Sequence, residues 1–258
     1  MLKKNLIYDV GMNNGADTDF YLNKGFDVVA IEANPHLCQA AALKFARQIE
    51  SGQLVILNYG IADEVGRKDF RINLDKDDWS SFERSYSDRT ANVEVIRVEC
   101  LRLDDVFDQF GIPYYLKVDI EGYDDCAVRA LERQQKRTLP AYVSTEATVP
   151  LFGRRMTSLG YDAFKYISQK WAYLQPLPDP PKEGGFYNVK MTGFHSGPFG
   201  EETYGQWLSL EEFESEIRRR DSGNYEKSLH KQWGCPEPMF FTWADYHARS
   251  AYQSKLLG

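Results

Sequence analysis

From Asn5 to about Ile167 the chain alternates short, almost wholly apolar runs with longer amphipathic runs. Short apolar runs are typical of strands in a parallel sheet that is covered on both faces, and amphipathic runs are typical of the helices that cover it. Strands that alternate with helices predict an α/β fold with a doubly wound, mostly parallel sheet. The fold class follows from this alternation.

The predicted strands cover residues 5–10, 27–32, 53–57, 93–101, 114–119, 141–146 and 162–167. The predicted helices are one that ends at residue 22 and those at 36–50, 104–110, 124–132, 151–159, 209–220 and 239–256. Residues 75–92 are predicted as a polar loop, and residues 175–238 as a long loop around the helix at 209–220. Long aromatic-containing loops of this kind are often functional lids.

The domain organisation follows from where the alternation stops. We expect residues 1–170 to form the core that binds the ligand. Residues 171–258 are expected to form a C-terminal extension or lid, containing loops and helices, that packs on the same domain.

A turn that contains two glycines joins the first predicted strand to the first helix. Gly11 and Gly15 allow the chain to turn sharply and a ligand to approach the backbone closely. The middle glycine of a nicotinamide-binding G-x-G-x-x-G turn admits a pyrophosphate, and here that position is Asn13. Asp9, at the end of the strand, suits a ligand with a cationic or amino group better than one with phosphates.

Glu32 ends the second predicted strand. A carboxylate at that place can accept hydrogen bonds from both hydroxyls of an adenosine ribose. The alternative is that Gly11 and Gly15 only form a turn and that Glu32 is a solvated strand end. The two features together favour a nucleoside-binding site.

Four segments carry a resemblance to a known family: DVGMNNGADT (residues 9–18), AIEANP (30–35), NYGIAD (58–63) and, most specifically, LKVDIEGYD (116–124). They are similar to the S-adenosylmethionine-dependent methyltransferases of the FkbM type. The resemblance implies a Rossmann-like fold of the class I methyltransferase type, with S-adenosylmethionine as cofactor.

The resemblance also implies roles for individual residues. The residues that would line the methionine end of the cofactor are Asp9, Gly11, Asn13, Gly15 and Thr18. Glu32 would hold the ribose, and the residues near the adenine would be Ala33, Asn34 and Ile61. Asp119 is assigned both to the cofactor pocket and to catalysis.

Acidic residues cluster where the strand at 114–119 ends. Ligands of an open parallel sheet lie beyond the carboxyl ends of its strands, so Asp119 and Glu121 should face the cleft, joined by Glu146 from the next strand. An alcohol needs a base before it can attack a methyl group, and Asp119 is the preferred base, with Glu121 or Glu146 as second carboxylate. Lys117 could instead neutralise these carboxylates in a purely structural network.

Two further possibilities concern this chemistry. His195, in the long late loop, could act as a general base or belong to a tight turn. The carboxylates could also hold Mg²⁺ through oxygen ligands, but we do not favour a metal, and no residue is assigned as a metal ligand.

Composition restricts partners and location. With 38 acidic and 31 basic residues the net charge is −7, which argues against a nucleic-acid partner. No apolar run reaches the length of a membrane span, and the first strand begins too early to leave room for a signal peptide. The scattered cysteines (Cys38, Cys100, Cys126 and Cys235) are typical of a reduced, cytoplasmic protein.

The sequence therefore predicts an S-adenosylmethionine-dependent O-methyltransferase. Its acceptor would be a hydroxyl of a small polar molecule, with a sugar of a glycan or glycosylated metabolite preferred. The alternatives are an NAD-dependent oxidoreductase and a nucleoside-binding module without catalysis. Homo-oligomerisation is left open.

Overall fold

A computed structural model describes residues 2–134, 138–146, 148–172, 174–221 and 244–255. The strands in these ranges are β1 (Leu2–Val10), β2 (Asp27–Ile31), β3 (Leu54–Leu57), β4 (Gly60–Ile61), β5 (Gly66–Asn73), β6 (Val93–Leu101), β7 (Ile112–Val118), β8 (Tyr142–Glu146), β9 (Ala163–Ser168) and β10 (Ala244–Arg249). The helices are α1 (Ala16–Asn23), α2 (Pro35–Lys44), α3 (Ala46–Glu50), α4 (Arg84–Ser87), α5 (Leu103–Phe110), α6 (Asp125–Arg133), α7 (Phe152–Ser158), α8 (Gln169–Ala172), α9 (Leu210–Asp221) and α10 (Ala251–Lys255).

The main sheet has seven strands in the order β3-β2-β1-β7-β8-β10-β9. Neighbouring strands from β3 to β8 pair in parallel, whereas β10 runs antiparallel to both β8 and β9. The strand order reverses at β1, where chain connections leave in opposite directions, and such a switch point opens a crevice beyond the carboxyl ends of the strands. The predicted doubly wound, mostly parallel sheet is confirmed.

Helices cover both faces of this sheet because successive residues of each strand point to opposite sides. In β1, Tyr8 and Val10 pack in the layer that contains α5, α6 and α7, while Ile7 packs in the layer that contains α1 and α2. The strands are therefore apolar in nearly every position, which is the pattern that allowed them to be predicted.

The predicted helix at 239–256 is wrong over residues 244–249, which form β10, and its residues 239–243 and 256 lie outside the described ranges. Three apolar residues of β10 alternate with three polar ones, and this period of two is that of a strand. Residues 251–255 are helical, as predicted. The last strand of the main sheet thus comes from beyond residue 170.

Residues 60–101, which we call the insert, form a second sheet of three strands in the order β4-β6-β5. The prediction of a strand at 93–101 is confirmed, but β6 lies in the insert and not in the main sheet. From Ile96 to Cys100 its exposed polar residues, Arg97 and Glu99, alternate with buried or partly buried ones, as expected of a strand with one solvated face. The polar loop predicted at 75–92 contains α4 and a 3-10 turn at Asp77–Trp79.

Residues 177–207, which we call the strap, pack across the face of the sheet that carries α1. Buried polar contacts hold the strap in place: Lys24 pairs with Glu202 at 3.0 Å, and the Lys165 ammonium donates to the carbonyl of Thr203 at 2.6 Å. The helix α9 follows, with the predicted capping box, since the Ser209 hydroxyl lies 2.8 Å from the Glu212 carboxylate.

Two smaller observations concern the described residues only. None of their helices has both the length and the apolar character that crossing a bilayer would require. Cys38, Cys100 and Cys126 are buried free thiols, and Cys235 lies outside the described ranges.

The ion pair of Lys24 and Glu202 has almost no exposure to solvent, so removing one charge leaves the other buried without compensation. Glu202→Gln should lower the free energy of unfolding by about 3 kcal/mol. Glu99→Gln, which breaks the exposed pair with Arg67, is the matched control and should change it little. Urea denaturation measures both, and equal losses in the two variants would contradict the role given to the buried pair.

Candidate active site

The glycine turn lies over the carboxyl ends of β1 and β2 and touches the end of β7. The amides of Gly11 and Met12 both donate to the carbonyl of Ile31, at 2.9 and 3.1 Å. Gly11 has φ +83°, and a Cβ there would lie 1.8 Å from the carbonyl oxygen of Asp119. Only glycine fits this approach, so the turn and the end of β7 form one continuous backbone surface.

Glu32 follows β2, and its carboxylate faces the turn. One oxygen accepts the amide of Asn13 at 2.9 Å and the other accepts the amide of Asn34 at 2.8 Å. Burial raises the pKa of Glu32, while these two hydrogen bonds oppose the shift. Each carboxylate oxygen has a second lone pair, so the group can still accept bonds from two adjacent ligand hydroxyls.

Two of the residues predicted near the adenine, Ala33 and Asn34, directly follow Glu32 in the chain, and the third, Ile61, lies in β4. Asn34 is buried and caps α2 by accepting the amide of His36 at 3.0 Å. Ala33 is partly buried, and Ile61 is 2% exposed within the core. Their contact with adenine stays a prediction.

Lys117, in β7, is the central cation of the site and is only 4% exposed. Its ammonium lies 3.1 Å from a carboxylate oxygen of Asp9 and donates to the carbonyl of Gly11 at 3.0 Å. The second oxygen of Asp9 accepts the hydroxyl of Thr18 at 2.6 Å. The three predicted residues Asp9, Gly11 and Thr18 are therefore joined at the start of α1.

Two more carboxylates reach the same ammonium, Asp17 at 3.7 Å and Asp119 at 3.8 Å. Burial alone would lower the pKa of Lys117, but the surrounding carboxylates, led by Asp9, raise it well above its usual value. Lys117 is thus a permanent cation. The network has more acids than bases, which suits a positively charged ligand.

Asp119, Glu121 and Glu146 come together beyond the carboxyl ends of β7 and β8, each offering an oxygen within 4.8 Å of the others. Asp124 is buried behind them and accepts the backbone amide of Glu146 at 3.1 Å. Sequence reasoning predicted that the first three would share a cleft, and the structure brings them together. The hydrogen bond to Asp124 fixes the backbone at Glu146.

The carboxyl groups of this cluster have different pKa values because they are buried to different extents and lie close together. Burial, and after it the charge of Asp119, raises the pKa values of three carboxyls, Asp124 to about 7, Glu121 to about 8 and Glu146 to about 10. A carboxyl that keeps its proton at neutral pH can donate a hydrogen bond, whereas an ionised neighbour can accept a proton.

The same three carboxylates are the one group of possible metal-binding residues found among the described residues. Oxygen ligands of one Mg²⁺, at about 2.1 Å from the ion, lie at most about 4.2 Å apart. Oxygens that lie within 4.8 Å of one another are close to the spacing that one such ion requires. Catalysis without a metal stays our preferred prediction.

Asp245 is a candidate that sequence reasoning missed, because residues 244–249 were predicted as a helix. It lies in β10 directly opposite Glu146 in β8, is 8% exposed and accepts the side-chain amide of Gln169. Burial, followed by the charge of Asp119, raises the pKa of Asp245. The alternation of polar and apolar residues in β10 could have identified the strand, but not its place beside β8.

His195 lies in the strap, and its ring Nδ1 accepts the backbone amide of Thr192 at 3.0 Å. The next residue, Ser196, binds Asp17 through its hydroxyl at 2.8 Å and through its amide. The strap is therefore anchored next to the carboxylate that faces Lys117. His195 stabilises a turn of that anchor, and a catalytic role for it stays a prediction.

The insert forms a second wall beside the acidic cluster, a feature that the sequence did not reveal. The Arg89 guanidinium lies 5.2 Å from the ring centre of Trp79 and 5.1 Å from that of Tyr86. Burial, followed by the charges of Glu146 and Glu121, raises the pKa of Tyr86. A Cβ at Gly122 would lie 2.6 Å from the ring of Tyr86, so this ring packs against the residue that follows Glu121.

Taken together, the strand order with its single antiparallel β10, the glycine turn after β1 and the acidic residue after β2 define a Rossmann-like fold of the class I methyltransferase type. A family model described as the methyltransferase FkbM domain matches residues 9–166, more than half of the chain. The protein belongs to this family, whose members use S-adenosylmethionine. No curated protein matches the chain.

Solved methyltransferase structures resemble the chain at low identity. Methyltransferase FkbM from Methylobacillus flagellatus KT is 17% identical with a TM-score of 0.36; the match covers 57% of this chain and 34% of that one, so this chain spans about a third of its length. StiE O-MT residues 961–1257 are 8% identical, with a TM-score of 0.40 and coverage of 98% and 71%. Precorrin-6y C5,15-methyltransferase from Geobacter metallireducens GS-15 is 9% identical, with a TM-score of 0.36 and coverage of 66% and 73%. Similarity this low says nothing of the acceptor.

The raised pKa of Glu146 makes a prediction about stability. The unfolded carboxyl ionises near pH 4.5, but the folded one keeps its proton to about pH 10, so folding loses stability as the pH rises between these values. One Glu146 oxygen is buried without a hydrogen-bond partner, so glutamine costs little there. Glu146→Gln should raise the melting temperature at pH 8 by roughly 2–4 °C, about 1 kcal/mol.

This gain in melting temperature should disappear at pH 4, where the side chain of residue 146 is uncharged in the wild type and in the variant. Glu94→Gln, at an exposed site in β6, is the control and should behave like the wild type at both values. Calorimetry across this pH range measures the melting temperatures. The prediction is contradicted if the difference between Glu146→Gln and the wild type is smaller at pH 8 than at pH 4.

Proposed function

We propose that this protein transfers the methyl group of S-adenosylmethionine to a hydroxyl of a small polar acceptor, of which a sugar of a glycan or glycosylated metabolite is the preferred class. The observation that carries the proposal is the set of three carboxylates, Asp119, Glu121 and Glu146, next to the glycine turn and the Lys117 network. An O-methyltransferase needs this pairing of a cofactor site with a base.

The cofactor would lie across the carboxyl ends of β1 and β2. Its ribose hydroxyls would bind Glu32, and its methionine end would lie near Gly11 and the acidic residues around Lys117. The excess of carboxylates there favours the cationic sulfonium of S-adenosylmethionine over the neutral product, which helps the product leave.

When bound, S-adenosylmethionine supplies a methyl group on a sulfonium that needs no further activation. The acceptor oxygen forms a bond to the methyl carbon as the bond from that carbon to sulfur breaks, and the hydroxyl proton passes to a carboxylate. Asp119 is the preferred base because burial raises its pKa and so strengthens it as a base, while the Lys117 ammonium, 3.8 Å away, opposes the shift and favours the ionised form. Glu146 keeps its own proton at neutral pH and can donate a hydrogen bond to the acceptor.

A polyol acceptor agrees with the walls of the cleft. Carboxylates and carboxylic acids bind neighbouring hydroxyls, and the rings of Trp79 and Tyr86 offer apolar faces of the kind that pack against sugars. A cytoplasmic location stays a prediction from the reduced cysteines.

The two alternatives separate in simple experiments. Asn13 at the middle glycine position argues against a nicotinamide-dependent oxidoreductase, which would bind NAD in a direct titration. A binding module without catalysis would bind S-adenosylmethionine but transfer no methyl group to any acceptor.

Calorimetric titration tests the cofactor site. The wild type should bind S-adenosylmethionine, and Glu32→Gln should weaken binding by about 1–3 kcal/mol because the ribose loses a charged acceptor. Glu50→Gln, at an exposed position in α3, is the control and should bind as the wild type does. Absence of binding at millimolar cofactor would end the proposal, and an unchanged affinity of Glu32→Gln would remove Glu32 from the site.

Transfer of a labelled methyl group tests the chemistry, with a panel of neutral methyl glycosides as acceptors. Asp119→Asn should lower kcat by roughly 10²–10⁴ at saturating cofactor, as expected for loss of a general base. Asp69→Asn, on the exposed face of the insert, should leave kcat unchanged. A fully active Asp119→Asn variant would show that another group removes the proton.

A further inference from the structure

Glu121 has an unusual backbone conformation for a residue with a side chain. Its φ is +48°, in the left-handed region that glycine adopts freely and other residues rarely adopt. Such strain persists only where the surrounding structure holds the residue in place, and it is concentrated at functional sites. Contacts from the insert hold Glu121 in this conformation.

One contact comes from the insert, 40 residues earlier in the chain. The hydroxyl of Ser81 donates to the carbonyl of Glu121 at 2.6 Å, and Ser81 is 1% exposed. The same hydroxyl accepts the amide of Glu83 at 2.9 Å, so its proton is directed at Glu121. The backbone of Ser81 also exchanges two hydrogen bonds of 3.0 Å with Arg71 of β5, which fixes its position.

A second contact acts on the next residue. Gly122 has φ +90°, and a Cβ there would lie 2.6 Å from the ring of Tyr86. The ring of Tyr123 then lies 5.0 Å from that of Phe82. Side chains of the insert therefore contact three successive residues, 121–123. The first of these, Glu121, has the strained conformation.

The strain has a consequence for the acidic cluster. The conformation of Glu121 brings its carboxylate oxygen within 4.8 Å of those of Asp119 and Glu146. An extended backbone at Glu121 would point the side chain elsewhere, since the direction of Cβ depends on φ and ψ. Ionisation of more than one of these carboxyls would make them repel each other, so their charges do not favour this arrangement.

We propose that Ser81 is a positioning residue, whose hydrogen bond to the Glu121 carbonyl keeps Glu121 left-handed and so directs its carboxylate to the acceptor side of the cleft. The inference rests on the proposed function of the acidic cluster. It gives the insert a role in catalysis, although Ser81 itself touches neither the acceptor nor the cofactor.

A graded series at position 81 tests the proposal in the full-length protein. Ser81→Ala should lower kcat roughly tenfold while KM for S-adenosylmethionine stays within about twofold, because the cofactor side of the turn is untouched. Ser81→Thr keeps the hydroxyl and should recover most of kcat. Ser81→Cys, with a weaker donor, should lie between them and replaces the alanine variant if that one fails to fold.

Ser87→Ala is the matched control, since Ser87 is also buried in the insert and its hydroxyl donates to the carboxylate of Asp88 at 2.8 Å. It should reduce thermal stability without the change in kcat. An equal loss of kcat in Ser87→Ala, or no recovery in Ser81→Thr, would overturn the proposal.

Backbone carbon and nitrogen chemical shifts of Glu121, measured by NMR, test the conformation without any assay of activity. The shifts should be those of a left-handed residue in the wild type and in Ser87→Ala, and should move towards extended values in Ser81→Ala. Unchanged shifts in Ser81→Ala would overturn the positioning role even if the enzyme is active. If the wild type transfers no methyl group but the shifts move as expected, the proposed function fails and the structural role of Ser81 stands.

Discussion

The Lys117 ammonium lies buried among the carboxylates of Asp9, Asp17 and Asp119 and donates to the carbonyl of Gly11. These partners come from β1, α1, the end of β7 and the glycine turn, so one cation joins four segments of the chain. A buried charge that loses its partners costs several kcal/mol, and this cost forces the segments into a single arrangement. That arrangement fixes the glycine turn against the carboxyl ends of β1 and β7.

The acidic cluster next to this cation, in contrast, destabilises the folded state. Burial and the charge of Asp119 oppose the ionisation of Glu121 and Glu146, and Glu121 also has a strained backbone. Groups that destabilise the fold and yet lie in the cleft beside the glycine turn are characteristic of active sites, where function is maintained at the expense of stability. The cluster can be held in place because Lys117 on one side and the insert on the other are themselves firmly packed.

The insert and the strap reach the crevice from distant parts of the chain. Ser81 binds the carbonyl of Glu121, 40 residues away, and Ser196 binds the carboxylate of Asp17, 179 residues away. Both contacts use buried polar groups, whose hydrogen bonds need specific geometry, and so they set positions more strictly than apolar packing would. The two additions thereby enclose opposite sides of one site.

Local patterns were enough to predict the strands of the doubly wound sheet other than β10, with their carboxyl ends to within one residue, and the meeting of Asp119 with Glu146. Strands buried on both faces are apolar throughout, and their carboxyl ends share one edge. The hydrogen bond of Ser81 and the place of Asp245 could not be predicted in this way. Asp245 faces Glu146 only because β10 inserts between β8 and β9, nearly a hundred residues later. Pairing between strands so far apart is decided by how the whole core packs, and neighbouring residues in the sequence carry no record of it.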